Sequence, residues 1–193
     1  MPTGRRIEKM RRVLRNRQPD LTVVCENIHD PHNVSAILRT CDAVGVSPIH
    51  LLYTVEAFPE LGKKSSGSAV KWVDVIRHET YQGCRSYLKS MGFVIYATYV
   101  GETSMSIYEI DWTRPSAIIV GNEHRGVSDE AIAMADEVIR IPMFGMVESL
   151  NVSVATAVIL YEACRQRIER GLYLRADVDL SGIEEKLAEW LRK

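Results

Sequence analysis

Apolar residues change spacing repeatedly along the chain, and the changes predict an α/β domain. Short runs rich in β-branched and aromatic residues read as strands at Leu21–Cys25, Ile49–Tyr53, Val70–Ile76, Phe93–Thr98, Ser116–Val120 and Val138–Ile141. Helical spacing lies between them. One helix runs from about His32 to Val44, with Val34, Ile37, Leu38 and Cys41 on one face and Gly45 at its end. A second spans Glu79 to Met91 and stops at Gly92, and a third is capped by Ser128 and reaches Ala135. Asp129 and Glu130 suit the N-terminal dipole of that third helix. Residues 54–69 read as a loop ending in Lys63-Lys64-Ser65-Ser66-Gly67-Ser68, and residues 99–114 as irregular chain. Strands alternating with helices predict a mainly parallel sheet with helices on both faces.

The stretch Ile141–Tyr161 is unusual. Pro142 closes a strand, because it has no N–H for the ladder. After a loop with Gly145, either Ser149 or Asn151 can cap a helix. Val152 to Leu160 is apolar on nearly every face, which predicts burial within the domain or against a second subunit. Polar residues at the mouth of such a helix serve as an ordinary cap, or they face a ligand drawn to the free N–H groups. Both ends of the chain read as helical. Ile7, Met10, Val13 and Leu14 recur at helical spacing, and Ser181-Gly182-Ile183-Glu184 reads as a capping box opening a last helix to Leu191. The predicted organisation is a basic N-terminal extension over 1–19, an α/β domain over 20–171 and a C-terminal helical extension over 172–193.

Charge changes this picture at one place. The net charge of −1 hides an N-terminal segment that carries Arg5, Arg6, Lys9, Arg11, Arg12, Arg15 and Arg17 against Glu8 alone. Such a helix is a solvated face, a membrane-surface element or a phosphate-binding element. The four cysteines are far apart and form no C-x-x-C, so reduced thiols in the cytoplasm are expected rather than a disulfide framework or zinc site. His29 and His32 have no further ligands nearby, and no metal is expected. No signal-peptide pattern opens the chain, and Val152–Tyr161 is too short to span a bilayer. No G-x-G-x-x-G follows the first strand and no Walker A is present, which disfavours a nicotinamide dehydrogenase or a P-loop enzyme.

Three polar segments follow predicted strand ends, where parallel sheets bind ligands: Asn27–Asn33, Gly121–Gly126 and Ile141–Asn151. Asn33 lies in the first turn of its helix. Arg39 sits in an apolar run, either as a core-edge ion pair or as a planar fork for a phosphate. Gly121 and Gly126 let backbone approach a ligand. Between them, Glu123 can accept from an amine or hold Arg39, His124 is an acid–base candidate or simply solvated, and Arg125 suits a phosphate.

Asn33-x5-Arg39-Thr40, Ile119-Val120-Gly121-Asn122-Glu123-x2-Gly126 and Ile141-Pro142-Met143-x5-Ser149-Leu150-Asn151-Val152-Ser153 resemble the three ordered motifs of the SPOUT methyltransferases. The resemblance implies a deep C-terminal trefoil knot, which topological rules alone do not predict. It also implies a homodimer and methyl transfer from S-adenosylmethionine to RNA. Val13–Thr22 and Asp30–Asn33 resemble the subgroup that methylates the ribose 2′-oxygen of D-loop guanosine 18 in tRNA. A sister enzyme acting on another tRNA or rRNA nucleotide is the alternative, and a knotted RNA-binding module without catalysis is a third reading. By the same resemblance Thr98, Gly121, Ile141, Ser149, Leu150 and Asn151 hold the cofactor, while Asn33, Arg39 and Glu123 are catalytic. Arg39 either accepts the hydroxyl proton or stays charged and stabilises the alkoxide. Arg5, Arg6, Arg11, Arg12, Arg15 and Arg125 contact RNA. The tail beyond Gly171 lies outside the resemblance.

Overall fold

The computed structural model describes residues 3–60, 69–101, 104–173 and 180–193. The predicted Lys63–Ser68 end of the 54–69 loop lies outside the described residues. Strands β1 (Leu21–Glu26), β2 (Ile49–Leu52), β3 (Val75–His78), β4 (Val94–Thr98), β5 (Met105–Ser106), β6 (Ser116–Val120) and β7 (Glu137–Arg140) form one sheet in the order β3-β2-β1-β6-β4-β7-β5. Every neighbouring pair is parallel. Side chains alternate across a strand. Accordingly Val23 and Cys25 join the core beneath α2 (Pro31–Val44) and α5 (Val152–Glu169), while Val24 joins the core beneath α3 (Tyr81–Ser90) and α4 (Asp129–Met134). All six residues of β1 are buried, as expected of a parallel strand covered on both faces. The register pairs Val24 with Ile119 and Cys25 with Val120, which sets the ends of β1 and β6 side by side. β6 lies between β1 and β4, and β7 between β4 and β5, so later strands are interleaved among earlier ones.

Local chemistry fixes the helix ends. Asp30 accepts from the His32 amide at 2.8 Å and Pro31 occupies the first turn of α2. Gly45 ends α2 with φ 83°, and a Cβ there would collide with the Asn16 carbonyl.

The structure corrects several elements. The strand expected at Val70–Ile76 is present only at its end, Val75 and Ile76. Ala69–Lys71 forms a 3-10 turn, Trp72 packs edge-on against Trp190, and β3 begins at Val75. The irregular 99–114 stretch contains β5, which pairs with the sheet edge. Helix α6 (Leu180–Trp190) already includes Leu180, so Ser181 does not cap it in a box with Glu184. Glu184 instead pairs with Arg11 at 2.8 Å. Helix α1 (Gly4–Arg15) buries Met10 and Leu14 against Ile183, Leu187 and Trp190 of α6, so the two terminal extensions form one helical pair.

Within one chain α5 is buried on one side only. Thr156, Ile159, Leu160, Ala163 and Arg167 are buried, whereas Val154, Tyr161 and Ile168 are exposed. Arg167 is fully enclosed. It donates to Asp20 Oδ1 at 2.6 Å, to Gln18 Oε1 at 3.0 Å and to the carbonyls of Trp112 and Arg114 at 2.8 and 3.2 Å. Among the described residues no helix is long and apolar enough to cross a membrane.

Candidate functional site

The carboxyl ends of β4, β6 and β7 open into a cavity of about 600 Å³. Thr98, Gly121, Ile141, Ser149, Leu150 and Asn151 all line it. Val120, Ile139, Ile141 and Val152 make an apolar wall, and Glu123, His124 and Arg125 stand at the polar side. Met143 of the third motif also lines it, as do Tyr99 and Val100, which no motif marks. A Cβ at Gly121 would collide with the backbone of Gly126 and Val127, so glycine permits the turn that closes this wall. The turn is pinned by reciprocal hydrogen bonds between the backbones of Asn122 and Gly126, at 3.0 and 2.8 Å.

Asn122 and Asn27 hold that turn against the rest of the sheet. Asn122 Nδ2 donates to the Asn27 carbonyl at 2.8 Å, and Asn122 Oδ1 accepts from the His124 and Arg125 amides at 2.9 and 3.3 Å. Asn27 has φ 46°, a left-handed conformation that asparagine tolerates better than most residues. Its Oδ1 accepts from the amides of Thr54, Val55 and Glu56, and its Nδ2 donates to buried Glu26 at 2.8 Å. Sequence reasoning gave neither asparagine a role, because these partners are remote along the chain.

A chain of side-chain hydrogen bonds joins the three strand-end segments. Glu123 accepts from Asn33 Nδ2 at 2.6 Å and from the amides of His29 and Asp30 at 3.0 and 3.3 Å. Asn33 Oδ1 accepts from Asn151 Nδ2 at 3.1 Å. Asn151 is the N-cap of α5, accepting from the Ser153 amide at 2.9 Å, while Ser149 lines the cavity. Glu123 therefore holds the Asn33 amide and not Arg39. Partial desolvation pushes the Glu123 carboxyl up, but the bonds from Asn33 and the His29 and Asp30 amides outweigh it and hold the group below its usual value. A depressed carboxylate pKa stabilises the fold above the unfolded value of about 4.3. That contribution is lost as pH falls through the lower folded value, so the chain of bonds is intact at neutral pH.

Arg39 is exposed, and among the described residues no hydrogen bond or ion pair engages it, so the core-edge ion pair does not form. It lies outside the lining of the cavity of its own chain. Six residues separate it from Asn33, about 9 Å along the helix. Arg125 meets Glu56 at 3.2 Å. On α1, Arg5, Arg6, Arg12 and Arg15 are exposed, whereas Arg11 is engaged by Glu184. Among the described residues no three His, Cys, Asp or Glu side chains converge as a metal site.

The sequence profile of the SpoU rRNA Methylase family matches residues 20–161. The tRNA (guanosine(18)-2'-O)-methyltransferase of Thermus thermophilus is 52% identical over 189 residues, covering 98% of this chain and 95% of that protein. The crystal structure of the Aquifex aeolicus TrmH/SpoU tRNA modifying enzyme superposes with a TM-score of 0.90 at 40% identity, covering 97% of this chain and 95% of the other. The SpoU methyltransferase AviRb of Streptomyces viridochromogenes, crystallised with AdoMet, superposes with a TM-score of 0.72 at 26% identity, over 80% of this chain and 61% of the other.

Proposed function

The chain belongs to the SpoU rRNA methylase family, and from that premise we propose that it transfers the methyl group of S-adenosylmethionine to the ribose 2′-oxygen of D-loop guanosine 18 in tRNA. The observation that carries this reading is a cavity lined by the segments after β6 and β7, to both of which Asn33 of the third segment is tied through Glu123 and Asn151. The likeness to the tRNA enzyme also runs through both terminal helices, beyond the residue 161 at which the family profile ends. Incorporation of labelled methyl into unmodified tRNA, but not into ribosomal RNA fragments, separates this reading from that of a sister enzyme.

The apolar wall and neighbouring backbone groups suit an adenine ring, and Thr98, Gly121, Ile141, Ser149, Leu150 and Asn151 hold the cofactor. When bound, S-adenosylmethionine supplies a methyl group on a positively charged sulfur. Asn33, oriented by Glu123, faces the incoming ribose. Arg39, which has no partner among the described residues, holds the RNA phosphate and stabilises the ribose oxygen as its proton leaves. Arg5, Arg6, Arg12, Arg15 and Arg125 contact phosphates, and Arg11 joins them on leaving Glu184. Leu150→Asp should weaken S-adenosylmethionine binding about tenfold or more, because a carboxylate in the apolar wall loses hydration without a partner. Calorimetry measures this, and unchanged affinity would place the adenosyl group elsewhere.

A second copy covers the open face of α5. Val154, Tyr161 and Ile168 are exposed there, and Phe144 and Met146 of the preceding loop are 98% and 99% exposed. Sedimentation at micromolar concentration should give twice the 21.8 kDa of one chain; a folded, active monomer would refute the homodimer. The interleaving of β6 and β7 among earlier strands is read as the C-terminal trefoil knot. Four free cysteines, three of them buried, fit a reducing cytoplasm.

A further inference from the structure

At the mouth of the cavity two basic side chains converge on a carboxylate of the protein's own. Arg125 Nη2 lies 3.2 Å from Glu56 Oε1, and His29 Nδ1 lies 3.5 Å from Glu56 Oε2. The His124 ring stands 6.4 Å from that of His29. Arg125 and His29 are more than half exposed, at 57% and 66% of their side chains. The two groups engage different oxygens of one carboxylate, as they would the two non-bridging oxygens of a phosphodiester. Arg125 and His124 line the cavity, whereas His29 and Glu56 lie outside its lining, beside Arg125.

The pairing is held from the backbone. The Glu56 amide donates to Asn27 Oδ1 at 3.3 Å, alongside the amides of Thr54 and Val55. On the other side, Asn122 donates to the Asn27 carbonyl and accepts from the Arg125 amide. One residue, held in the left-handed region, thus fixes both partners of the ion pair relative to each other.

We propose that Arg125 and His29 form a subsite for an RNA phosphodiester at the cavity mouth, and that Glu56 occupies it in the free protein as an internal stand-in which the RNA displaces. This rests on the reading of the chain as an RNA-binding enzyme. An exposed ion pair contributes little, so a polyanion bound at many points displaces it readily. Removal of Glu56 leaves the subsite open in advance.

The test uses the full-length protein and an unmodified tRNA transcript, with binding measured at several salt concentrations. Glu56→Gln should bind tRNA about two- to fivefold tighter, the change expected on losing an exposed ion pair. Its affinity should fall more steeply with salt, by up to about one unit of slope. Arg125→Ala should bind more weakly, with a shallower slope. In a background carrying both Arg125→Ala and His29→Ala, Glu56→Gln should have no effect. If the gain persists there, deletion of a negative charge acts at long range and the subsite is wrong. Wild-type protein that binds tRNA while Glu56→Gln is unchanged or weaker overturns the subsite alone. Wild-type protein that binds no tRNA overturns the underlying function and the subsite with it.

Discussion

Arg39→Ala should bind S-adenosylmethionine with wild-type affinity, melt within a few degrees of wild type and lose about 10²–10⁴ in turnover. The stability arm follows from its setting. Ile37 and Leu38 anchor this part of α2 in the core, while Arg39 itself is exposed and has no partner among the described residues. Truncating such a side chain changes stability by only about 0.5 kcal/mol. The cofactor arm follows because Arg39 does not line the cavity. The turnover arm follows if the guanidinium meets the phosphate and the developing negative charge of the ribose oxygen. Arg39→Lys keeps the charge and loses the planar fork, so it should fail at every pH. Recovery of activity at alkaline pH would instead mark Arg39 as the proton acceptor. Near-normal turnover in Arg39→Ala would remove it from the reaction.

Arg167→Ala should lower stability by about 3 kcal/mol or more, and Tm by about 6–12 °C in a chain of this length. The guanidinium is fully buried and ties three separate segments: the Gln18–Asp20 approach to β1, the Trp112–Arg114 turn before β6, and α5 itself. Its removal leaves the Trp112 and Arg114 carbonyls without this donor and opens a cavity beneath them. Arg167→Lys should recover only part of the loss, because one ammonium cannot reach all five acceptor atoms. Thermal unfolding measures both variants. A shift of Arg167→Ala below about 2 °C would show that the other contacts of α5 suffice.

The sequence revealed what local spacing encodes. β1, β2, β4, β6 and the apolar face of α2 were legible because both faces of the sheet are covered and the strands read as continuous apolar runs. Gly121, Ile141, Ser149, Leu150 and Asn151 were legible through motif order, since their segments follow the ends of β6 and β7, whereas Thr98 ends β4, which lies between them. Long-range partners were not. Val70 to Trp72 alternates like a strand, but Trp72 has Trp190 as its partner, over a hundred residues away, and tertiary packing overrides the local pattern. The capping box over Ser181–Glu184 failed because α6 already includes Leu180, which places Ser181 inside the helix, and Glu184 pairs with Arg11 on α1. Asn27 carried a weak local signal as a residue tolerant of left-handed backbone, yet its bonds to Asn122 and to the Thr54–Glu56 amides appear only in the folded chain. Arg167 lies beyond the apolar run Val152–Leu160, and nothing in its neighbours indicates that it is enclosed.

The most direct test is to incubate the wild-type protein with labelled S-adenosylmethionine and an unmodified tRNA transcript, digest the RNA and map the labelled nucleoside. The expected product is 2′-O-methylguanosine at position 18 of the D-loop, the position named for the Thermus thermophilus relative. No label is expected in a transcript whose guanosine 18 is replaced by the 2′-deoxynucleotide. Label on a base nitrogen, at another nucleotide, or nowhere despite measurable cofactor binding would contradict methyl transfer to the guanosine 18 ribose.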